Sequence, residues 1–171
     1  MKVILYMAMT ANGFIADNDD ATGWISKTEW DSYSLAVRTA GCSIVGRRTY
    51  EFLTKQPEFS EFENVKLVVV SHGDFSVNDP KHSVAHSPKE ALDLLTNFKE
   101  IIVAGGGILN ASFLAENLVD ELYLDIEPIV LGEGIPLFKG QSFEKNLEFL
   151  GQRMLSDHEI QLHYKIVKTT S

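Results

Sequence analysis

The stretch Ile101-Ile102-Val103-Ala104-Gly105-Gly106-Gly107-Ile108-Leu109 decides the fold. An apolar run of strand length stops at three glycines, and a helix is predicted to start after Gly107, with Leu109 and Phe113 one turn apart. The strand shows no polar alternation, as expected of a strand buried on both faces of a parallel sheet. Three more runs have the same character: Val3–Met9, Ser43–Val45 and Leu67–Val70. The last two run straight into turn residues, Gly46 and Ser71.

Helical patterns lie between the runs. Lys27–Thr39 is predicted as a helix with Trp30, Tyr33 and Val37 facing inward. Ser87-Pro88-Lys89-Glu90 starts another: Ser87 caps, Pro88 suits the first turn and Glu90 completes a capping box. Ala91, Leu94, Leu95 and Phe98 then fall on one face. The C-terminal third alternates instead. Leu122, Leu124 and Ile126 share one side of Glu121–Ile126, and Ile160, Leu162, Tyr164 and Ile166 share one side of Glu159–Val167. Both read as half-exposed antiparallel strands, with the turn-rich Leu131–Pro136 between them. No repeat or linker divides the chain. The expected architecture is one α/β domain in three layers, α/β/α, with a mixed, mostly parallel central sheet closed by a C-terminal antiparallel hairpin.

The 171 residues are enough for one domain with a real core, and a net charge of −9 opposes a polyphosphate partner. Nucleic acid is therefore not expected. The N-terminal apolar run is too short for a membrane span or a signal peptide, so no membrane association and a cytoplasmic location are expected. The single Cys42, beside Ile44 and Val45, reads as a buried structural thiol. The five histidines have no metal-ligand spacing, and no metal is expected.

Two turns carry candidate chemistry. Gly105-Gly106-Gly107 offers bare backbone N–H groups at a helix start, a cradle suited to a pyrophosphate. It is neither a dinucleotide fingerprint, since Asn110 stands where the third glycine belongs, nor a P-loop, since no Gly-Lys-Ser/Thr occurs. Gly46-Arg47-Arg48-Thr49-Tyr50 sets two guanidinium groups and a hydroxyl at a second strand end. Adjacent arginines paired with Glu51 or Glu58 are the bland alternative, but two anion-suited turns at strand C-termini favour a ligand. The loop after Ala8-Met9-Thr10, continuing Asn12-Gly13-Phe14-Ile15-Ala16, can flank a flat ring.

Ile44–Glu51 resembles the Met-Gly-Arg-x-Thr segment of dihydrofolate reductases, and Gly105-Gly106-Gly107 resembles their glycine phosphate turn. The segments Leu118–Leu122, Pro128–Gly134 and Pro136-Leu137-Phe138 are similar to the reductase domain of the bacterial riboflavin-biosynthesis deaminase-reductase and its stand-alone relatives. The resemblance covers essentially the whole chain and implies the dihydrofolate-reductase-like fold with NADPH as hydride donor. It implies that Arg47 and Arg48 meet the 2′-phosphate and that Gly46 and Thr49 hold the pyrophosphate side. Val70 and Ser71 would lie near the adenosine, with His86 close by. Gly105, Gly106, Gly107, Ile108 and Leu109 would line the pyrophosphate and nicotinamide, and Ala8, Ile15 and Ala16 would flank the nicotinamide. A cis Gly105–Gly106 peptide is implied as well.

Dihydrofolate reductases carry an acid on the first helix. The ungapped match puts Trp30 there, and a one-residue gap brings Asp31, the candidate catalytic carboxylate. A solvated acid near a helix N-terminus is the alternative. The loop lacks the Leu-Pro-Trp of that enzyme and has Gly23-Trp24-Ile25 instead, which argues against folate itself. No zinc-deaminase segment is present, so a riboflavin-pathway role would be reduction alone. The expectation is an NADPH-dependent reductase acting on a small heterocycle, pyrimidine- or pterin-like, between walls formed by Phe14, Trp24 and Tyr33. The alternatives are a nucleotide-binding protein without turnover and a structural or interaction protein. A homodimer through the alternating C-terminal strands is expected, as in related domains.

Overall fold

The structure, a computed structural model, describes residues 1–168. The four apolar runs become the parallel strands β1 (Lys2–Thr10), β3 (Cys42–Gly46), β4 (Lys66–Val70) and β6 (Glu100–Val103). Short strands β2 (Phe14–Ala16) and β5 (Ser83–Ala85) also form, and β7 (Glu121–Glu127) lies parallel to β1. Next come β8 (Ile135–Pro136), β9 (Asn146–Met154) and β10 (Ile160–Val167). The main sheet runs β5-β4-β3-β6-β1-β7-β10-β9, while β2 and β8 form a two-stranded sheet. Among the described residues the antiparallel pairs of the main sheet are β7–β10 and β10–β9, so the sheet is mixed and mostly parallel as expected and ends in the β9–β10 hairpin.

Helix α1 (Lys27–Ala40) is capped by the Ser26 side chain and ends at Gly41 in the left-handed conformation. It packs with α2 (Arg47–Leu53) and the 3-10 segment Pro57–Phe62 over Ile4, Tyr6, Val45, Val69 and Ile102. The opposite face carries α3 (Pro88–Asp93) and α4 (Gly107–Ala115), around Leu5, Ile44, Val68, Val103 and Phe113. These are the three expected layers. Cys42 is buried, and burial pushes its thiol up to about 12, which keeps it protonated and inert.

Three local expectations need correction. Helix α3 ends at Asp93, so Leu94 caps it and is 45% exposed, while Leu92 turns inward. Strand β7 is not half-exposed: Asp125 and Glu127 are buried beside Leu122 and Leu124, because the start of α1 covers its other face. The hairpin partner of β10 is β9, a strand whose residues are almost all exposed and which carries no alternation to read.

Candidate active site

The parallel strands β1, β3, β4 and β6 end on one edge of the sheet, and a cavity of about 1080 Å³ opens there. That volume suits a dinucleotide with a small molecule beside it. Chain topology divides the cavity. The ends of β4, β3 and β6 supply Val70 and Ser71, Gly46, and Ala104-Gly105-Gly106. The end of β1 supplies Met7 and Ala8, over which α1 brings Glu29, Trp30 and Tyr33.

The two turns read from the sequence meet. The Gly46 N–H donates to the Gly105 carbonyl at 2.7 Å, and a Cβ on Gly46 would lie 3.4 Å from the Gly106 nitrogen. The Thr49 hydroxyl stands about 3.7 Å from where a Gly106 Cβ would be. Gly105 has φ +83°, a conformation that favours glycine, and the Gly105–Gly106 peptide is cis. Gly107 cannot carry a side chain, since a Cβ would sit 2.5 Å from the Pro136 carbonyl oxygen. Helix α4 starts there with no side-chain cap, so its first N–H groups face the cavity. Arg47 and Arg48 lie on the same wall, 48% and 76% exposed at the side chain. Among the described residues each makes only a long ion pair, to Glu51 and Asp20 respectively, both at 3.7 Å. Backbone donors, a hydroxyl and two loosely held guanidinium groups fit the phosphates of a dinucleotide.

Most of the expected cofactor residues line this cavity: Ala8, Ile15, Ala16, Gly46, Arg47, Arg48, Thr49, Val70, Ser71 and Gly105 through Leu109. His86 does not. Its Nδ1 sits 2.9 Å from the Ser71 carbonyl oxygen, behind the wall, so it braces Ser71. Among the expected substrate walls only Tyr33 lines the cavity. Phe14 is turned aside by the pairing of β2 with β8, where it packs over Gly134. Trp24 buries its indole N–H without a partner, while its neighbours Gly23 and Ile25 face the cavity.

The acid on the first helix is where sequence and structure part. Asp31 borders the cavity at its rim: its side chain is 55% exposed and held by Lys27 at 2.6 Å. Glu29, half a turn earlier, also lines the cavity but is only 4% exposed. No hydrogen bond reaches its carboxyl among the described residues. Burial first, then the charges of Asp125, Glu127 and Glu159, hold its pKa well above the usual carboxylate range. Two of these acids are better supported. Asp125 accepts from the Tyr6 hydroxyl and the Gln161 amide, both at 2.7 Å, and Glu127 accepts from the Ser26 N–H at 2.8 Å.

That last bond explains why Glu29 is hard to find in the sequence. Ser26-Lys27-Thr28-Glu29 has capping-box spacing, in which the glutamate would reach back to the Ser26 N–H. The Ser26 hydroxyl does cap the Glu29 N–H at 3.0 Å. Glu127, 101 residues away, takes the Ser26 N–H instead and leaves the Glu29 carboxyl free for the cavity. The only signal within the sequence is an acid facing the same way as Trp30 and Tyr33.

A doubly covered, mostly parallel sheet with glycine turns at its strand ends defines an α/β protein of the dihydrofolate-reductase-like fold. A riboflavin biosynthesis protein, provisionally so named, from Shewanella sp. PV-4 superposes with a TM-score of 0.80, at 21% identity over 98% of this chain and all of that one. The Thermotoga maritima diaminohydroxyphosphoribosylaminopyrimidine deaminase/5-amino-6-(5-phosphoribosylamino)uracil reductase superposes with a TM-score of 0.72, at 18% identity over 97% of this chain and 56% of that one. In sequence, the uncharacterized protein YwjB of Bacillus subtilis (strain 168) is 28% identical over 95% of this chain and 97% of its own. The chain belongs to the RibD C-terminal domain family, which matches residues 1–160.

Proposed function

We propose that this chain is an NADPH-dependent reductase that delivers hydride to a C=N or C=O bond of a small heterocycle, with Glu29 supplying the proton. The observation that carries this reading is the buried, unpartnered Glu29 carboxyl on the wall of the cavity. It also favours turnover over nucleotide binding alone, because an acid whose burial raises its pKa is costly to hold and suited to proton transfer. The reductase activity named for the Thermotoga maritima relative supports the same class of reaction.

NADPH, when bound, supplies the hydride. The residues of the chain do the rest. Gly46, Thr49 and the α4 N-terminus would hold the pyrophosphate, with Arg47 and Arg48 on the 2′-phosphate. Ala8, Ile15 and Ala16 give a small, buried apolar surface for the reacting ring. Tyr33 and Trp30 wall the substrate side. Glu29 gives its proton to the substrate nitrogen or oxygen and regains one from water, so hydride and proton together reduce one double bond.

The test is NADPH oxidation against pterins, aminopyrimidines and aminouracils by the wild type and by Glu29→Gln. Turnover that falls by about 10²-fold or more in the variant, with NADPH affinity kept, is expected. Equal turnover by both proteins would overturn the role of Glu29. For assembly we propose a homodimer through β9, an edge strand that exposes Leu147, Phe149, Leu150 and Met154.

A further inference from the structure

The cavity is electrically divided. Arg47, Arg48 and Lys139 stand at the glycine turns, where Asp20 pairs with Arg48 at 3.7 Å, whereas the end beneath α1 and the 3-10 segment presents Glu29, Asp31, Glu58 and Glu61. The cation at that end is Lys27, and Asp31 already neutralises it at 2.6 Å. The charges of Glu61 and Glu58 also reach Lys27 and help hold its ammonium above the ordinary lysine range, after the hydrogen bond and charge of Asp31. Arg38 is turned away from the cavity and faces Glu61 from outside at 3.7 Å. The Glu61 carboxylate is fixed by the Trp30 indole N–H at 3.3 Å, so this negative charge is built into the wall. Deeper in, the buried Glu29 carboxyl faces the cavity without a partner, ready for a ligand N–H or amino group. Among the described residues no group of three or more His, Cys, Asp and Glu is arranged to hold a metal ion.

We propose that this end takes an amino-substituted nitrogen heterocycle, neutral or cationic, that carries no phosphate, and that it rejects the phosphoribosyl arm in the name of the Thermotoga maritima relative's substrate. The inference rests on the reductase reading and adds its substrate class. A phosphate dianion entering beside Glu58 and Glu61 would meet like charge, and Lys27 is already committed to Asp31. A polar heterocycle finds flat walls in Trp30 and Tyr33 and an acceptor or donor in Glu29.

The experiment is calorimetric binding at low and high salt to the protein saturated with NADP⁺, which cannot deliver hydride to the probes. The probes are pterin, 2,4-diaminopyrimidine and a matched pair, 5-amino-6-ribosylaminouracil with and without its 5′-phosphate. The unphosphorylated member should bind about tenfold more tightly at low salt, with the gap closing at 0.5 M salt. In Glu58→Gln/Glu61→Gln the phosphorylated member should gain about fivefold while the other changes less than twofold. The glutamine at 61 keeps an acceptor for Trp30, so the fold is preserved. Tighter binding of the phosphorylated member by the wild type overturns the proposal, as does binding of none of the probes. Failure to bind either NADP⁺ or NADPH in the first step instead overturns the reductase reading beneath it.

Discussion

Glu29 is costly to bury and, once buried, suited to give up a proton. Replacing its carboxyl by an amide separates these effects. Its folded pKa is raised, so the folded protein binds more protons than the unfolded chain. Its contribution to stability is therefore full below the unfolded value of about 4.3 and is lost as pH rises through the folded one. Glu29→Gln should accordingly raise Tm at pH 7.5, by about 2–4 °C per kcal/mol relieved, and leave it unchanged near pH 4. The same variant should lose turnover by about 10²-fold or more, and wild-type activity should fall as pH rises through the elevated pKa. Thermal melts at both pH values and a pH–rate profile check this. Asp31→Asn, at an exposed and salt-bridged rim position, should change turnover less than about threefold. The sequence led to this neighbourhood but to its neighbour, because alignment distance cannot show that Glu127 displaces Glu29 from its capping bond. Phe14 and Trp24 went astray for a related reason. Aromatic character marks a wall only when the backbone aims it, and β2–β8 pairing aims Phe14 elsewhere.

At the scale of elements, the legible features were those with strong local chemistry. The capped start of α3, the glycine turn before α4 and the four doubly buried strands all announce themselves. Strand β9 did not, because as an exposed edge it needs no hydrophobic period, and β7 misled because α1 covers its polar face. The junction of β6, α4 and the 135–139 loop is the most constrained of these. The Gly107 carbonyl accepts from the Lys139 N–H at 3.1 Å, and the Asn110 amide donates to the Leu137 carbonyl at 3.0 Å. Gly107→Ala should therefore lower stability by about 1–3 kcal/mol, since its Cβ meets a backbone oxygen that such bonds hold in place. A denaturation midpoint unchanged from wild type would show that the loop yields freely. The cap of α1 predicts a linked effect: Ser26→Ala should cost about 1 kcal/mol by the same measurement.

At the scale of the whole molecule, the sheet gathers its strand ends into one cleft and leaves β9 as an apolar edge. If β9 pairs across a homodimer, Phe149→Lys with Leu150→Lys should shift sedimentation to the monomer without altering the melting of the monomeric fold. A wild type that sediments as a monomer at tens of micromolar would contradict the assembly. The family membership and the fold rest on the sheet and the match over residues 1–160, whereas the cofactor assignment rests on one edge of the sheet. The most direct test of the reductase account is therefore a titration of the wild type with NADPH and NADH beside Arg47→Ala and Arg48→Ala. NADPH should bind the wild type with micromolar affinity and lose about tenfold in each variant, while NADH changes little. No binding of either cofactor below the millimolar range, or equal losses for both, would contradict it.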